Sequence, residues 1–403
     1  MKQKQARRPM TREEALARQK RRQYQAQREA ESRELARGPI DLPFLLLVVI
    51  LVGIGLVMLF SASFPRAYYK ENDPAKYLIR QGVFAIMGFA AMGIIGKINY
   101  QRYRALAKPL MILSVVLLVL VLIPGIGQVR NNARRWIGIG DILTFQPSEI
   151  AKFAVVLYFA DTISKKKDKM RTLRYGVAPY VIRLGIIAVL MMMEPHLSGT
   201  LLILGVGAIL MLAGGIRWIW VALAGGVGAV LGYLVVFVGG YGRSRIDMWL
   251  DPWLDRQGDG YQMVQSLLSI GSGGLLGVGL GKSRNKFMYL PEEHNDFIFS
   301  IVCEELGLIG AGIIMLLFAA LILRGYWIAL HARDRFGSLL VIGVTSLLAM
   351  QTFLNIGVVT GLLPATGISL PFFSYGGTAL MIQLAEMGVV LSVSRQMKPT
   401  RSG

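Results

Sequence analysis

LPFLLLVVILVGIGLVMLFSA, residues Leu42 to Ala62, carries no charged side chain. A helix of roughly 20 apolar residues crosses a hydrocarbon core of ~30 Å, so this run reads as a membrane span. It is too long for the apolar core of a secretory signal, and no small-residue cleavage site follows it. Comparable runs recur near 79–96, 108–125, 147–164, 176–193, 198–215, 217–238, 297–323, 337–359 and 376–394. The 403 residues are 54% hydrophobic and 17% charged, the balance of a polytopic membrane protein rather than a soluble enzyme. The expected fold is therefore all-α, with about ten transmembrane helices.

The net charge of +20 would suit a nucleic-acid binder, but its distribution argues against one. Much of it lies in residues 1–40, a polar tail with no apolar stripe, expected to be disordered and to meet anionic lipid on the cytoplasmic side. More falls in alternate connections, at Lys97, Arg102, Arg104 and Lys108, then Lys165 to Arg174, then Arg217, then Arg324 to Arg335, then the tail from 397 to 403. With ten spans these all share the side of the N-terminus, as the positive-inside rule requires, which puts both termini in the cytoplasm. One membrane domain, 41–396, is the simplest partition. Its outside connections are 63–78, 126–146, 239–296 (the large one, before the eighth span) and 360–375. The last reads TGLLPATGISLPFFSY. Its glycines and prolines break a helix inside an apolar stretch, so it is expected to turn back and line a cavity. No internal repeat is visible, and glycines such as Gly225, Gly228 and Gly232 are read as helix-packing positions.

The lone cysteine, Cys303, permits no intramolecular disulfide, and the three histidines are scattered, so a zinc site is not expected. GGLLGVGLGKS (Gly273–Ser283) misses the phosphate-binding spacing of nucleotide-hydrolysing enzymes, because Leu276 stands where that motif needs glycine. Basic residues on the outer side are more informative. Arg134 and Arg135, Arg243 and Arg245, and Lys282, Arg284 and Lys286 all oppose the positive-inside trend. Together they suggest an anionic ligand at the outer face, and a diphosphate fits.

QPSEIAK (Gln146–Lys152) opens the fourth run. Pro147 suits a first helical turn, Ser148 can help cap it, and Glu149 and Lys152 share a face where they can pair. In MEPHLSGT (Met193–Thr200), Pro195 interrupts the helix and sets Glu194 and His196 at a cavity or its mouth. YLPEEHNDFIF (Tyr289–Phe299) crowds Glu292, Glu293, His294 and Asp296 against the eighth run. Asp296 has two readings: a helix N-cap, or a general base in glycosyl transfer from a lipid diphosphate, where an acceptor hydroxyl must lose its proton. A hydrolase would need a second carboxylate, which Glu292 or Glu293 could supply.

The region Leu250–Gly310, with RRWIGIG and QPSEIAK (Arg134–Lys152) and LPATGISLPFFSYGG (Leu363–Gly377), resembles the SEDS family of shape, elongation, division and sporulation proteins. The likeness covers nearly all of the chain after its tail, and YLPEEHNDFIF is more similar to the FtsW and SpoVE branches than to RodA. The resemblance implies a ten-span peptidoglycan glycosyltransferase of the bacterial cytoplasmic membrane. Such a protein polymerises lipid II at the outer face and releases undecaprenyl diphosphate, in division or sporulation. It implies Asp296 as general base, Arg135 with Arg134 on the diphosphate, and Glu149 with Lys152 as the polar pair of the cavity. Glu194 matches the family's Glu-Pro motif, though His196 stands where a second acid is expected, and Ser374 shapes the cavity wall. Lys282 and Arg284 complete the expected substrate contacts. The implied partner is a class B penicillin-binding protein, a transpeptidase. No cofactor is implied beyond a divalent cation that the diphosphate can carry. A lipid II flippase and a division scaffold are the alternative readings.

Overall fold

A computed structural model describes residues 19, 23, 38–130, 133–139, 143–233 and 243–397. The basic tail assigned to 1–40 and the C-terminal tail of 397–403 lie almost wholly outside the described residues. Twelve helices dominate the described chain: α1 (Leu42–Glu71), α2 (Lys76–Lys97), α3 (Tyr103–Leu122), α4 (Pro147–Lys166), α5 (Ala178–Met193), α6 (Leu197–Ala213), α7 (Trp218–Tyr233), α8 (Arg243–Leu250), α9 (Tyr261–Gly273), α10 (Ile298–Leu330), α11 (Arg335–Val359) and α12 (Gly377–Ser394). Every apolar run read from the sequence overlies one of them. Seven segments are long and apolar enough to cross a membrane. The helices α4, α6 and α7 fall short of that measure. Charged residues, among them Glu149, Lys152 and Asp161, interrupt α4, while α6 and α7 have only 17 and 16 residues.

Three features depart from the expected all-α plan. First, a three-stranded antiparallel sheet, β1 (Gly127–Arg130), β2 (Ala133–Ile139) and β3 (Leu143–Phe145), occupies the connection between α3 and α4. Hydropathy over a 20-residue window cannot register strands this short. Second, α1 runs to Glu71, through most of the expected loop 63–78, with Pro65 tolerated inside it. Third, the eighth span is broken. Gly307, with φ 66° and ψ −173°, interrupts α10, and the glycine-rich stretch after α9 crosses the break. The backbone amides of Leu308 and Ile309 donate to Gly274 and Leu275 (2.9 and 3.1 Å), while those of Val278 and Gly279 donate to Glu304 and Glu305 (3.0 and 3.1 Å). A helix break otherwise leaves backbone groups unmet, which is costly away from water. Here the crossing strand meets them. A Cβ on Gly307 would stand 2.3 Å from the Gly277 nitrogen, so only glycine fits.

The core lies where α11 and α12 sit among the other helices. Two-thirds (67%) of the apolar window of each is buried, against 28–39% for the other five long segments, whose remaining apolar surface is what lipid would cover. Along the contact of α12 with α2, a Cβ at Gly388 would meet the Met92 carbonyl at 2.7 Å, so a small residue sets that close approach. Of the α7 glycines read as packing positions, Gly225 and Gly228 face open space among the described residues, and the surroundings of Gly232 lie outside them. Cys303 is buried in α10 as a packing residue.

Candidate active site

The longest irregular stretch between the core helices runs from Gly361 to Gly376, between α11 and α12, where the sequence predicted a turn at membrane depth. With the segment before α10 it walls a cavity of ≈ 410 Å³. Ionisable side chains lining it are Arg80, Arg135, Glu149, Glu292 and Asp296, together with His196 and His294. The sequence-predicted residues divide around this cavity.

Asp296 lies at its wall, half-buried. The N-cap position of α10 is Phe297, and no side chain caps that helix. Among the described residues no donor engages the Asp296 carboxylate, so the capping role is not what the residue does. Its backbone is held instead, by a 2.7 Å hydrogen bond from Asn355 Nδ2 on α11 to the Asp296 carbonyl. Gly367 leaves room beside it: a Cβ there would come within 3.3 Å of Asp296 Oδ2. Burial, reinforced by Glu292, pushes the Asp296 carboxyl up to about 6, against the pull of His294 and Arg135. A carboxylate with that affinity for protons is a better base than an exposed one at neutral pH.

Strand geometry sorts the two arginines. Adjacent side chains of β2 point to opposite faces. Arg134 turns back to the end of α3, where Nη1 donates to the Leu122 carbonyl (3.1 Å). Arg135 lines the cavity, and its Nε donates to the Glu194 carbonyl (3.1 Å) while Nη2 bonds the Pro195 carbonyl. One guanidinium thus joins β2 to the α5–α6 turn. Arg134 lies outside the cavity lining.

Glu149 and Lys152 form the expected pair, 2.8 Å apart at the start of α4. Glu149 faces the cavity and Lys152 is buried behind it. Ser148 caps nothing: its Oγ is buried without a hydrogen-bond partner among the described residues. Glu194 is fully buried, and neither carboxylate oxygen has a partner among the described residues. Burial pushes its carboxyl up to about 8, with Arg135 pulling the other way, so it is protonated at neutral pH. His196, rather than Glu194, lines the cavity, 3.4 Å from Gln146 Nε2. Burial, with Arg135 and Lys152, holds its ring down at about 3. It is a neutral imidazole.

Ser374 is not at the cavity surface. Its Oγ donates to the Asn295 carbonyl and accepts from the Leu370 amide, both at 2.7 Å, tying the two irregular segments together beside Asp296. Lys282 and Arg284 are exposed and outside the cavity lining. The neighbouring Lys286 is buried against Glu305 (2.9 Å) and Ser61 Oγ (3.1 Å). Arg245 is likewise exposed, and the side chain of Arg243 lies outside the described residues. Of the outer basic set, Arg135 is the member that lines the cavity among the described residues.

Sequence reasoning missed Arg80, Trp136, Tyr77 and Tyr375 in the lining. Arg80 had a usable signal, because it interrupts an apolar run at its expected outer end. Among the described residues no group of three or more His, Cys, Asp and Glu side chains could hold a metal ion.

The profile of the family described as cell cycle protein, FtsW/RodA/SpoVE, matches residues 42–399. A probable peptidoglycan glycosyltransferase FtsW of Geobacter sulfurreducens is 42% identical over 359 residues, covering 89% of this chain and 96% of that protein. Stage V sporulation protein E of Bacillus subtilis is 43% identical over 359 residues, covering 88% and 97%. Among solved structures, a chain from a peptidoglycan synthase complex that coordinates polymerization and crosslinking superposes with TM-score 0.74, 29% identity and coverage of 89% and 98%. The rod shape determining protein RodA of Thermus thermophilus gives 0.67, 29%, 90% and 99%.

Proposed function

The chain belongs to the FtsW/RodA/SpoVE family of cell cycle proteins, and from that premise we propose that it is a peptidoglycan glycosyltransferase polymerising lipid II. The observation that carries the reading is the carboxylate of Asp296, which no donor among the described residues engages, at a cavity that Arg80 and Arg135 also line. In this reaction Asp296 accepts the proton of an acceptor hydroxyl. The hydroxyl oxygen then bonds the anomeric carbon of the donor sugar, and the bond from that carbon to the diphosphate breaks with its electron pair. Negative charge grows on the leaving diphosphate, where the guanidinium of Arg135 stabilises it. Glu149, paired with Lys152, adds a further polar part of the wall.

Ten spans, counting the shorter or more polar α4, α6 and α7, and both termini in the cytoplasm complete the arrangement, which puts the cavity at the outer leaflet of the bacterial cytoplasmic membrane. Residues 41–396 then form one membrane domain. The diphosphate can bring a divalent cation of its own, which would screen its charge. A class B penicillin-binding protein is the partner, since a relative in fold comes from a complex that couples polymerization to crosslinking.

Purified protein with that partner and fluorescent lipid II tests the reading. Glycan ladders on a gel are expected. Transbilayer movement of lipid II in vesicles without any ladder would replace the enzyme by a flippase, and neither product would leave a scaffold.

A further inference from the structure

The crowded stretch before α10 holds an imidazole that the reaction above does not use. His294 lines the cavity, two residues from Asp296. Its ring is fixed on several sides. Tyr77 and Tyr375 pack against it, with centroids at 5.1 and 5.9 Å, and its backbone carbonyl accepts from the Tyr375 amide at 2.9 Å. Nδ1 is sealed from solvent and lies 3.5 Å from Glu293 Oε1. Glu293, itself fully buried, is clasped by Arg66 of α1: Nε donates to Oε1 at 2.7 Å and Nη2 to Oε2 at 3.1 Å. Burial would raise the Glu293 carboxyl, but His294 and Arg66 outweigh it and hold it down at about 2.

This is an arginine–carboxylate–imidazole chain, with its arginine end fixed on a helix and its imidazole end at the cavity. A carboxylate facing Nδ1 fixes the ring orientation and favours a proton there, which leaves Nε2 for the cavity. We propose that His294 is a further substrate-contacting residue, an imidazolium that donates a hydrogen bond from Nε2 to the donor's diphosphate, and that Glu293 and Arg66 are its positioning residues. The proposal rests on the glycosyl-transfer reading. The imidazolium keeps both protons through the reaction: the hydroxyl proton goes to Asp296, and the departing diphosphate oxygen takes the bonding pair. Charge accounting at the wall leaves room for a further donor at this place. Glu292, Glu293 and Asp296 share its own segment and Glu149 stands on α4, while Arg66, Arg80, Arg135 and Lys152, the last paired with Glu149, balance them. A dianionic ligand would tip that balance towards negative charge, and a further donor beside Asp296 offsets it.

The test is steady-state polymerisation of lipid II by the complex with its transpeptidase, using His294→Gln and His294→Lys, with direct binding of a non-hydrolysable lipid diphosphate to each. Thermal melting confirms that each variant folds, and wild-type ladders confirm that the glycosyl-transfer reading stands. His294→Gln is expected to bind the lipid diphosphate about tenfold more weakly and to raise KM more than it lowers kcat. His294→Lys, which restores a cation, is expected to recover most of the binding. Glu293→Gln, which keeps the shape but releases the ring, is expected to reproduce part of the His294→Gln loss. Folded His294→Gln protein that binds the lipid diphosphate as wild type does would overturn the proposal, whether or not its turnover changes. So would equal loss in the Gln and Lys variants, which would make the ring a packing element only.

Discussion

Asn355 Nδ2 donates to the backbone carbonyl of Asp296 at 2.7 Å. The same nitrogen donates to the Ile368 carbonyl at 2.6 Å, so one buried amide on α11 fixes both irregular segments that wall the cavity. Asn355→Leu would leave two carbonyls unmet in a dry place, each worth ~1–3 kcal/mol. We expect a loss of about 2 kcal/mol in thermal unfolding. Turnover should fall further than lipid II binding does, because the Asp296 carboxylate would lose its fixed place. Differential scanning fluorimetry in detergent and a polymerisation rate on the same sample check both parts.

The pair of Lys286 and Glu305 is buried on both sides, with side-chain exposures of 3% and 0%. Removing one partner strands a buried charge, at a cost of ~3–5 kcal/mol. Lys286→Met should therefore destabilise more than the double variant Lys286→Met with Glu305→Gln, whose amide can still accept from Ser61 and the Ser283 amide. A melting comparison of the two variants and wild type decides this.

Asp296 carries two pH signatures. Its carboxyl is raised from 3.8 to about 6 in the folded chain, so the proton binds more tightly there than in the unfolded chain. The stability this group supplies is complete below about pH 4 and is lost as pH rises through 6. Asp296→Asn should then melt higher than wild type at pH 7, by on the order of 2 kcal/mol, with the gap closing near pH 4. The polymerisation rate runs the other way. It needs the ionised base, so it should fall about tenfold per pH unit below about pH 5.

Arg134 and Arg135 are neighbours with separate tasks. Arg135→Lys cannot hold the Glu194 and Pro195 carbonyls together and also reach the diphosphate, so kcat/KM should drop ten- to a hundredfold. Arg134→Lys alters a hydrogen bond to the end of α3, outside the cavity lining, and should keep kcat/KM within about threefold, with at most ~1 kcal/mol lost in melting. Parallel kinetics on the two variants would show the alternation of β2 as a difference in rate.

Much of this architecture was legible in the chain because lipid demands long apolar helices. The runs from Leu42 to Ser394 fell where they were expected, and the glycines and prolines after Thr360 announced the irregular cavity wall. Pairings between distant residues were not legible. Arg66 and Glu293 stand 227 positions apart, and each alone reads as an unexplained charge near the membrane edge. The basic run Lys282, Arg284 and Lys286 was not separable for a related reason. Sequence gives the sign of a charge, whereas only folding shows that Lys286 is paired with Glu305 and that the other two are exposed outside the cavity lining. The break at Gly307 was hidden because its flanks are as apolar as a continuous helix.

The most direct test of the central claim, that Asp296 is the base, uses fluorescent lipid II with Asp296→Asn and wild type, each with the transpeptidase, at pH 7. Ladder formation and lipid II binding are measured on the same preparations. The structure predicts that the variant folds, binds lipid II within about threefold of wild type, and loses ladder formation by at least ~10²-fold. Ladders of wild-type length and rate from Asp296→Asn would contradict it, and the proton would have to leave by another group.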